Sequence, residues 1–335
     1  LLHRNNEPFS MKICIFGAGA IGGHVAARYA RGGAEVSVIA RGAYLEGIRA
    51  RGLTIEAPDA TFTERVRATA DPRELGPQDA VIVTVKAPAL ASVAAAIAPL
   101  LGPETPVAFV MNGIPWFYFD HHGGPLDGTR LARLDPDEAV RRTVTPARAI
   151  GGVVYSACTV LEPGRIHVEH NRNRIVYGEP DNKISARCEA IAAPLRAGGF
   201  RVDVTDRIRD GIWEKLVLNL ASGPLSVLAQ SAPVGYAAEP GVADAIRRIV
   251  AEGEAIARAL GCQPHIDVET QIQRATEMTH EPSILQDLKL GRPMEVDGIF
   301  GATLDLARLA GVATPLLDLM VALLKTRAKV AGLYP

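Results

Sequence analysis

The sequence predicts an α/β protein: a doubly wound parallel sheet over residues 11–205, then an all-helical domain over 206–335. Three observations carry this. Short, continuously apolar runs at 12–16, 35–40, 79–87 and 106–113 have the composition of strands covered on both faces. Helix-forming stretches separate several of them. From Asp206 onward almost every segment repeats with helical period.

In chain order, KICIF is the first strand and a glycine-rich turn follows it. The helix from about Ala20 stops at Gly32-Gly33, a C-terminal signal. Glu35 to Ala40 is the second strand, and residues 52–68 alternate like a hairpin or irregular strands. DAVIVTVKA is a buried strand leading into an alanine-rich helix to Leu101, and PVAFVMNG is the next strand. Residues 114–148 show no clean period. Residues 150–178 read as strands turning at Pro163-Gly164, and a helix at about 184–197 and the strand FRVDV close the first domain. Helices are predicted at 207–221, 240–260, 266–280, 283–290, 295–310 and 315–331, the last opened by Thr314-Pro315.

With 335 residues the chain is long enough for two domains. Its 48% hydrophobic and 22% charged residues are an ordinary globular balance, and a net charge of −1 gives no global attraction to nucleic acid or an anionic membrane. No apolar run is long enough to span a bilayer; the longest, Ala87 to Leu101, is broken by Pro88 and Pro99. Cys14, Cys158, Cys188 and Cys262 form no CxxC pair, which points to a reduced, cytoplasmic setting without a zinc knuckle. His167 and His170 fall on opposite faces of a strand-like segment, a poor chelating geometry. Met11 directly precedes the first strand and reads as the functional start, with residues 1–10 an added extension.

Gly17-Ala18-Gly19-Ala20-Ile21-Gly22 is G-x-G-x-x-G between a strand and a helix, the Rossmann-type arrangement for a dinucleotide. The first glycine permits the tight turn, the second admits a pyrophosphate, and the third lets helix and strand pack closely. The phosphates then meet free N–H groups at the helix N-terminus. An NAD site places Asp or Glu at the end of the second strand; here that place holds Ala40-Arg41. The Arg41 guanidinium suits a 2′-phosphate, which favours NADP; the ordinary alternative is a solvated arginine at a strand end.

WEKLVLNLASGPLSVLAQ, residues 213–230, is apolar almost all round, yet Lys215 and Asn219 share one face. A lysine held beside a dinucleotide can polarise a carbonyl and supply a proton as hydride arrives. It can equally snorkel to the surface or pair with a carboxylate. Three further places belong with it. Lys86 and then Asn112 stand where strands of the dinucleotide sheet stop, at the edge where ligands bind. SILQDLKLGRPMEVDGIFG offers Ser283 and Glu295, the latter at a helix start where the dipole favours a carboxylate in any protein.

Taken in order, GAGAIG, VKA, MNG, WEKLVLN and SILQD with GRPMEVDGIFG make the chain from Met11 onward resemble the ketopantoate reductases. The resemblance implies reduction of a 2-oxo acid to its 2-hydroxy acid with NADPH. It implies that Lys215 is the catalytic lysine and Glu295 an acid or substrate-orienting partner. It implies further that Asn112, Asn219 and Ser283 contact the substrate, that Lys86 and Asn112 lie near the nicotinamide, and that Arg41 holds the 2′-phosphate. The nicotinamide is then expected over the sheet edge, in the cleft between the domains.

Two departures bear on the substrate. Where the family has a second asparagine, one turn past Asn219, stands Gly223, which leaves room; Ser222 beside it offers a hydroxyl. The segment after Asn112-Gly113 is long and carries Trp116, Phe117, Tyr118 and Phe119, which either wall the pocket as a lid, pin a long loop, or meet a partner subunit. Together they suggest a bulkier, more apolar 2-oxo acid than ketopantoate. The apolar face of the helical domain is compatible with a homodimer. The competing readings are an opine-type or β-hydroxyacid dehydrogenase, expected to use a His-Asp pair, and an NADP-binding regulator without catalysis.

Overall fold

A computed structural model describes residues 10–335, so all but Ser10 of the segment read as an extension lies outside the described residues. Contacts divide the chain into two compact units. The first runs to Val85 and resumes over Ala89–Met111 and Ala139–Asp206; the second holds Lys86–Pro88, Asn112–Glu138 and Arg207–Pro335. The division at Asp206/Arg207 lies beside the boundary expected at 205/206. Two earlier segments, the one carrying Lys86 and the one beginning at Asn112, nevertheless group with the helical unit.

Among the described residues the first unit is built on twelve strands: β1 (Lys12–Phe16), β2 (Glu35–Ile39), β3 (Leu53–Glu56), β4 (Thr61–Glu64), β5 (Arg67–Thr69), β6 (Ala80–Val83), β7 (Val107–Val110), β8 (Ala149–Tyr155), β9 (Cys158–Glu162), β10 (Arg165–Val168), β11 (Arg174–Gly178) and β12 (Arg201–Thr205). Eight form the main sheet in the order β12-β11-β8-β7-β6-β1-β2-β5. Its pairs are parallel except β11 against β8. The doubly wound parallel sheet that the sequence predicts is thus present, with one antiparallel pair near its edge. The chain reaches β11 from the small sheet, without the crossover helix that a parallel partner needs. Of the alternating residues 52–68, β3 and β4 go to that small sheet, β4-β3-β10-β9, while Arg67 and Ala68 begin β5 of the main sheet.

The unit's helices are α1 (Ala20–Arg31), α2 (Gly42–Arg51), α3 (Leu90–Ala96), α4 (Ala139–Val144) and α5 (Ala186–Ala197). α1 touches strands of both sheets. Its contact with the small sheet is so close that a Cβ on Gly23 would come within 2.4 Å of Ile166 Cδ1. The helix expected up to Leu101 is shorter, because Pro88 and Pro99 confine it to α3 with single 3₁₀ turns on either side. The strand order reverses between β1 and β6, which places a crevice beyond their carboxyl ends, where Gly17 and Thr84 follow.

The second unit contains α6 (Ile208–Ala229), α7 (Pro240–Ala259), α8 (Val268–Ala275), α9 (Ser283–Lys289), a π turn (Asp297–Gly301), α10 (Ala302–Leu309) and α11 (Pro315–Val330). α6 runs eight residues past its expected end at Leu220–Ala221, straight through Ser222, Gly223 and Pro224. Burial of Gly223, Pro224, Ser226 and Val227 outweighs the hydrogen bond that the proline removes. Thr314 does begin α11, but its hydroxyl bonds to Asp318. The free N–H groups of Leu316 and Leu317 are instead taken by the Glu252 carboxylate of α7, at 3.0 and 2.8 Å.

Candidate active site

In the first unit the glycine turn has the shape its spacing requires. Gly17 has φ +109°, a conformation that side chains with a Cβ rarely adopt. A Cβ on Gly22 would lie 1.8 Å from the Gly17 carbonyl oxygen and 2.4 Å from Thr84 Oγ1, so only glycine packs there. The Thr84 hydroxyl donates to that same carbonyl at 2.6 Å and ties the turn to the end of β6. At Gly19, by contrast, a Cβ would meet nothing within 4 Å. Gly19 is exposed, and among the described residues no side chain caps the N-terminus of α1. An open backbone beside unclaimed helical N–H groups is what a pyrophosphate needs, so these residues fit a dinucleotide. Ala18, Ala20 and Ile21 complete the turn. Arg41 lies exposed at the N-terminus of α2, and among the described residues its guanidinium has no hydrogen bond or ion pair.

The remaining predicted residues all fall in the helical unit, and the segment from Ser283 to Gly301 organises them. Glu295 is buried, with 5% of its surface exposed. It does not cap its own helix, as a first-turn glutamate would. Its Oε1 accepts the backbone N–H of Ala87 at 3.0 Å. The neighbouring Lys86 Nζ donates to Asp287 Oδ2 at 2.5 Å, and Arg292 Nε lies 3.0 Å from the other Asp287 oxygen. Asp287 is buried while both its cations are nearly half exposed. Burial pushes the Glu295 carboxyl above its ordinary value of 4.5. The Ala87 N–H and the Lys86 charge oppose the rise, Asp287 adds to it, and Lys215 opposes it again. Lys86, Lys215, Asp287 and Glu295 therefore form one electrostatic group.

Lys215 and Asn219 lie one turn apart on α6 and are both partly buried. Asn112 and Gly113 reach the group through the π turn. Gly113 has φ +85°, and a Cβ there would sit 2.3 Å from the Gly298 carbonyl oxygen. Gly298 in turn faces Ala87, whose Cβ would be 2.6 Å away from one added at Gly298. Ser283 is exposed at the first position of α9. Asp287 was not among the predicted site residues, although it stands in the quoted SILQD stretch. Its signal was an aspartate four residues beyond Ser283, on the same helical face.

Of the two departures that bear on the substrate, the room at Gly223 is corrected, and the aromatic run takes one of the roles left open for it. The room expected at Gly223 is filled: a Cβ there would lie 2.8 Å from Phe300 Cζ and 3.5 Å from Ile284 Cγ2. The Ser222 hydroxyl donates to Leu218 O at 2.9 Å rather than replacing a side-chain amide. The aromatic run has the burial and partners of a loop anchor. Trp116, Phe117, Tyr118 and Phe119 are at most 3% exposed. The Tyr118 hydroxyl accepts from Trp213 Nε1 at 2.8 Å, and the Arg209 guanidinium donates to the carbonyls of Tyr118 and Asp120 at 2.9 and 2.7 Å. The rings pin the loop into the helical core, where burying them is most favourable.

The raised Glu295 carboxyl has a consequence for stability. Between its unfolded and folded titration points the folded chain holds a proton that the unfolded chain has lost. Stability therefore falls as pH rises through that window, and the deficit persists above it. Glu295→Gln keeps an acceptor for Ala87 N–H and removes the buried charge. Its melting temperature is expected above that of wild type at neutral pH, the difference closing as the pH is lowered to about 4. Thermal melts across pH check this; a variant less stable at pH 7 would refute it.

A phosphate-admitting glycine turn on a parallel sheet, in a chain whose helical unit groups a lysine with a buried carboxyl, defines an oxidoreductase that interconverts a CH–OH group and a carbonyl. Family comparison makes this specific. Residues 13–182 match the model described as "Ketopantoate reductase PanE/ApbA", and residues 207–328 match its C-terminal counterpart. The chain belongs to the ketopantoate reductase family, whose members use a nicotinamide cofactor. It is 42% identical to a 2-dehydropantoate 2-reductase of Mesorhizobium japonicum, over 97% of this chain and 100% of that protein. A crystal structure from Ralstonia solanacearum MolK2, assigned as a ketopantoate reductase, superposes with a TM-score of 0.90 at 38% identity, covering 97% of this chain and 100% of the other. That of 2-dehydropantoate 2-reductase from Geobacter metallireducens GS-15 gives 0.82 at 29% identity, covering 94% and 99%.

Proposed function

We propose that the protein reduces ketopantoate, or a closely related 2-oxo acid, to the 2-hydroxy acid with NADPH. The observation that carries the reading is the grouping of Lys215 with the buried Glu295, whose carboxyl is held on Ala87 N–H. When bound, the nicotinamide supplies hydride to the carbonyl carbon. The Lys215 ammonium stabilises the developing alkoxide and gives it a proton. Glu295 orients that ammonium or the substrate hydroxyl, and Lys86, neutralised by Asp287, holds the nicotinamide end. Asn112, Asn219 and Ser283 supply donors and acceptors for the carboxylate and hydroxyl of the acid. With Phe300 behind Gly223, no cavity at that position argues for a larger substrate.

Arg41 supports NADPH over NADH, because its unengaged guanidinium suits a 2′-phosphate. Among the described residues no helix is long and apolar enough to cross a membrane, and the four cysteines are unpaired. We place the enzyme in the cytoplasm on that composition. Exposed Leu319 and Leu323, one turn apart on α11, support a homodimer.

The test is a panel of 2-oxo acids with NADPH and with NADH, for wild type and Arg41→Ala. Ketopantoate is expected to give the highest kcat/KM. Loss of a charge-assisted phosphate contact should raise KM for NADPH about 10–100-fold, equivalent to roughly 1.5–3 kcal/mol, and leave NADH nearly unchanged. Preference for a larger acid would move the substrate. An equal effect of Arg41→Ala on both cofactors would overturn the NADPH assignment.

A further inference from the structure

Glu295 sits outside any helix, in a tight bend. The Val296 N–H closes back on the Met294 carbonyl at 2.9 Å, across Glu295 itself. Both flanks of this bend are fastened to the segment that follows α11, at Leu333 and Tyr334. The Met294 N–H donates to Leu333 O at 3.1 Å, and the Tyr334 hydroxyl donates to the two Asp297 oxygens at 3.0 Å each. The tail is held in turn by α11: Leu333 N–H bonds to Ala328 O at 3.0 Å, and Lys329 Nζ lies 5.7 Å from the Tyr334 ring centre.

The charge on Asp297 does not depend on this tyrosine. Arg133 Nη1 donates to it at 2.9 Å, and Lys325 Nζ lies within 3.9 Å. What Tyr334 adds is a direction, because a hydroxyl bonded to both oxygens sets the rotation of the carboxylate at the start of the π turn. That turn also carries Gly298, packed against Ala87 and Gly113. A displacement there changes the approach of Glu295 to the Ala87 N–H.

We propose that Tyr334 is a positioning residue for Glu295, acting through Asp297, and that the C-terminal segment is a latch on the bend that aims the Glu295 carboxyl. The inference rests on the role proposed above for Glu295. With the latch loosened, water reaches a carboxyl faced by Lys86, Lys215 and Asp287, and its titration moves down towards an ordinary glutamate.

The experiment uses the 335-residue chain and four variants of it: Tyr334→Phe, Glu295→Gln, their double, and a chain ending at Ala331. Each is assayed for kcat, both KM values, the pH profile of kcat and thermal stability. Tyr334→Phe is expected to lower kcat about threefold to tenfold, with KM for NADPH and melting temperature nearly unchanged. The pH limb that Glu295→Gln abolishes should shift to lower pH in Tyr334→Phe. In the double variant, Tyr334→Phe should cost nothing beyond Glu295→Gln, as for residues acting through one another. The truncated chain should reproduce the kcat loss; where it fails to fold, Tyr334→Phe alone decides. An unmoved limb, or effects that multiply in the double variant, overturns the latch while leaving Glu295 in its role. Wild-type kcat in Glu295→Gln instead overturns the reading of Glu295, and the latch with it.

Discussion

Lys215→Ala is expected to lower kcat with ketopantoate about a hundred- to ten-thousandfold, the range for removing a positioned general acid. Lys215 is partly buried on a helix whose Trp213, Leu216, Val217 and Leu220 are core residues, so the backbone beneath it is fixed. It also belongs to the electrostatic group of Glu295. In the role proposed for it, removing it leaves the alkoxide without its cation; it also leaves the buried Glu295 carboxyl with one fewer opposing charge. The glycine turn and Arg41 belong to the other unit, so NADPH binding should survive. The check is single-turnover NADPH oxidation beside a cofactor-binding titration. A variant within threefold of wild type would remove Lys215 from the chemistry; lost cofactor binding would show a structural fault instead. Arginine is no substitute, because its guanidinium does not release a proton in this range.

Trp213→Ala should have the largest effect on stability, about 3–5 kcal/mol for an emptied aromatic site in a packed core. Trp213 is fully buried, and its indole N–H is a donor to the Tyr118 hydroxyl. The truncation opens a void and weakens the polar anchoring of a hydroxyl whose other close neighbour is Cys262 Sγ, at 3.5 Å. Tyr118→Phe, which keeps the ring, should cost far less, about 0.5–1.5 kcal/mol. Denaturant unfolding of the two variants checks the ranking. Because the same segment begins at Asn112, Trp213→Ala should also raise KM for the 2-oxo acid more than it lowers kcat. Equal stabilities would mean that the aromatic run is not anchored as described.

How much of the site could be read in advance depended on how local the signal was. The glycine turn is local: three glycines at fixed spacing between a strand and a helix have one good physical explanation, and the Gly17 and Gly22 geometry follows from it. The shared face of Lys215 and Asn219 on α6 was legible for the same reason, since residues four apart on a helix are neighbours. Gly223 misled because an absent side chain in a sequence looks like space. Phe300, distant in the chain, already occupies it. The aromatic run was ambiguous because hydrophobicity alone does not say which surface covers a ring. Trp213 and Arg209 settle it through partners that no spacing rule connects to Tyr118.

What the sequence determined by itself is therefore the set of elements and the chemistry of their ends: the parallel strands, the phosphate-admitting turn, the helical second half, and the family these spell out. These follow from periodicity and backbone sterics acting over a few residues. Only the tertiary structure decided that Lys86 and Asn112 group with the helical unit, that Asp287 pairs with Lys86, and that Glu295 serves the Ala87 N–H rather than its own helix. Those pairings join residues some two hundred positions apart. A buried carboxyl must find a donor wherever packing brings one, and packing is a property of the folded chain.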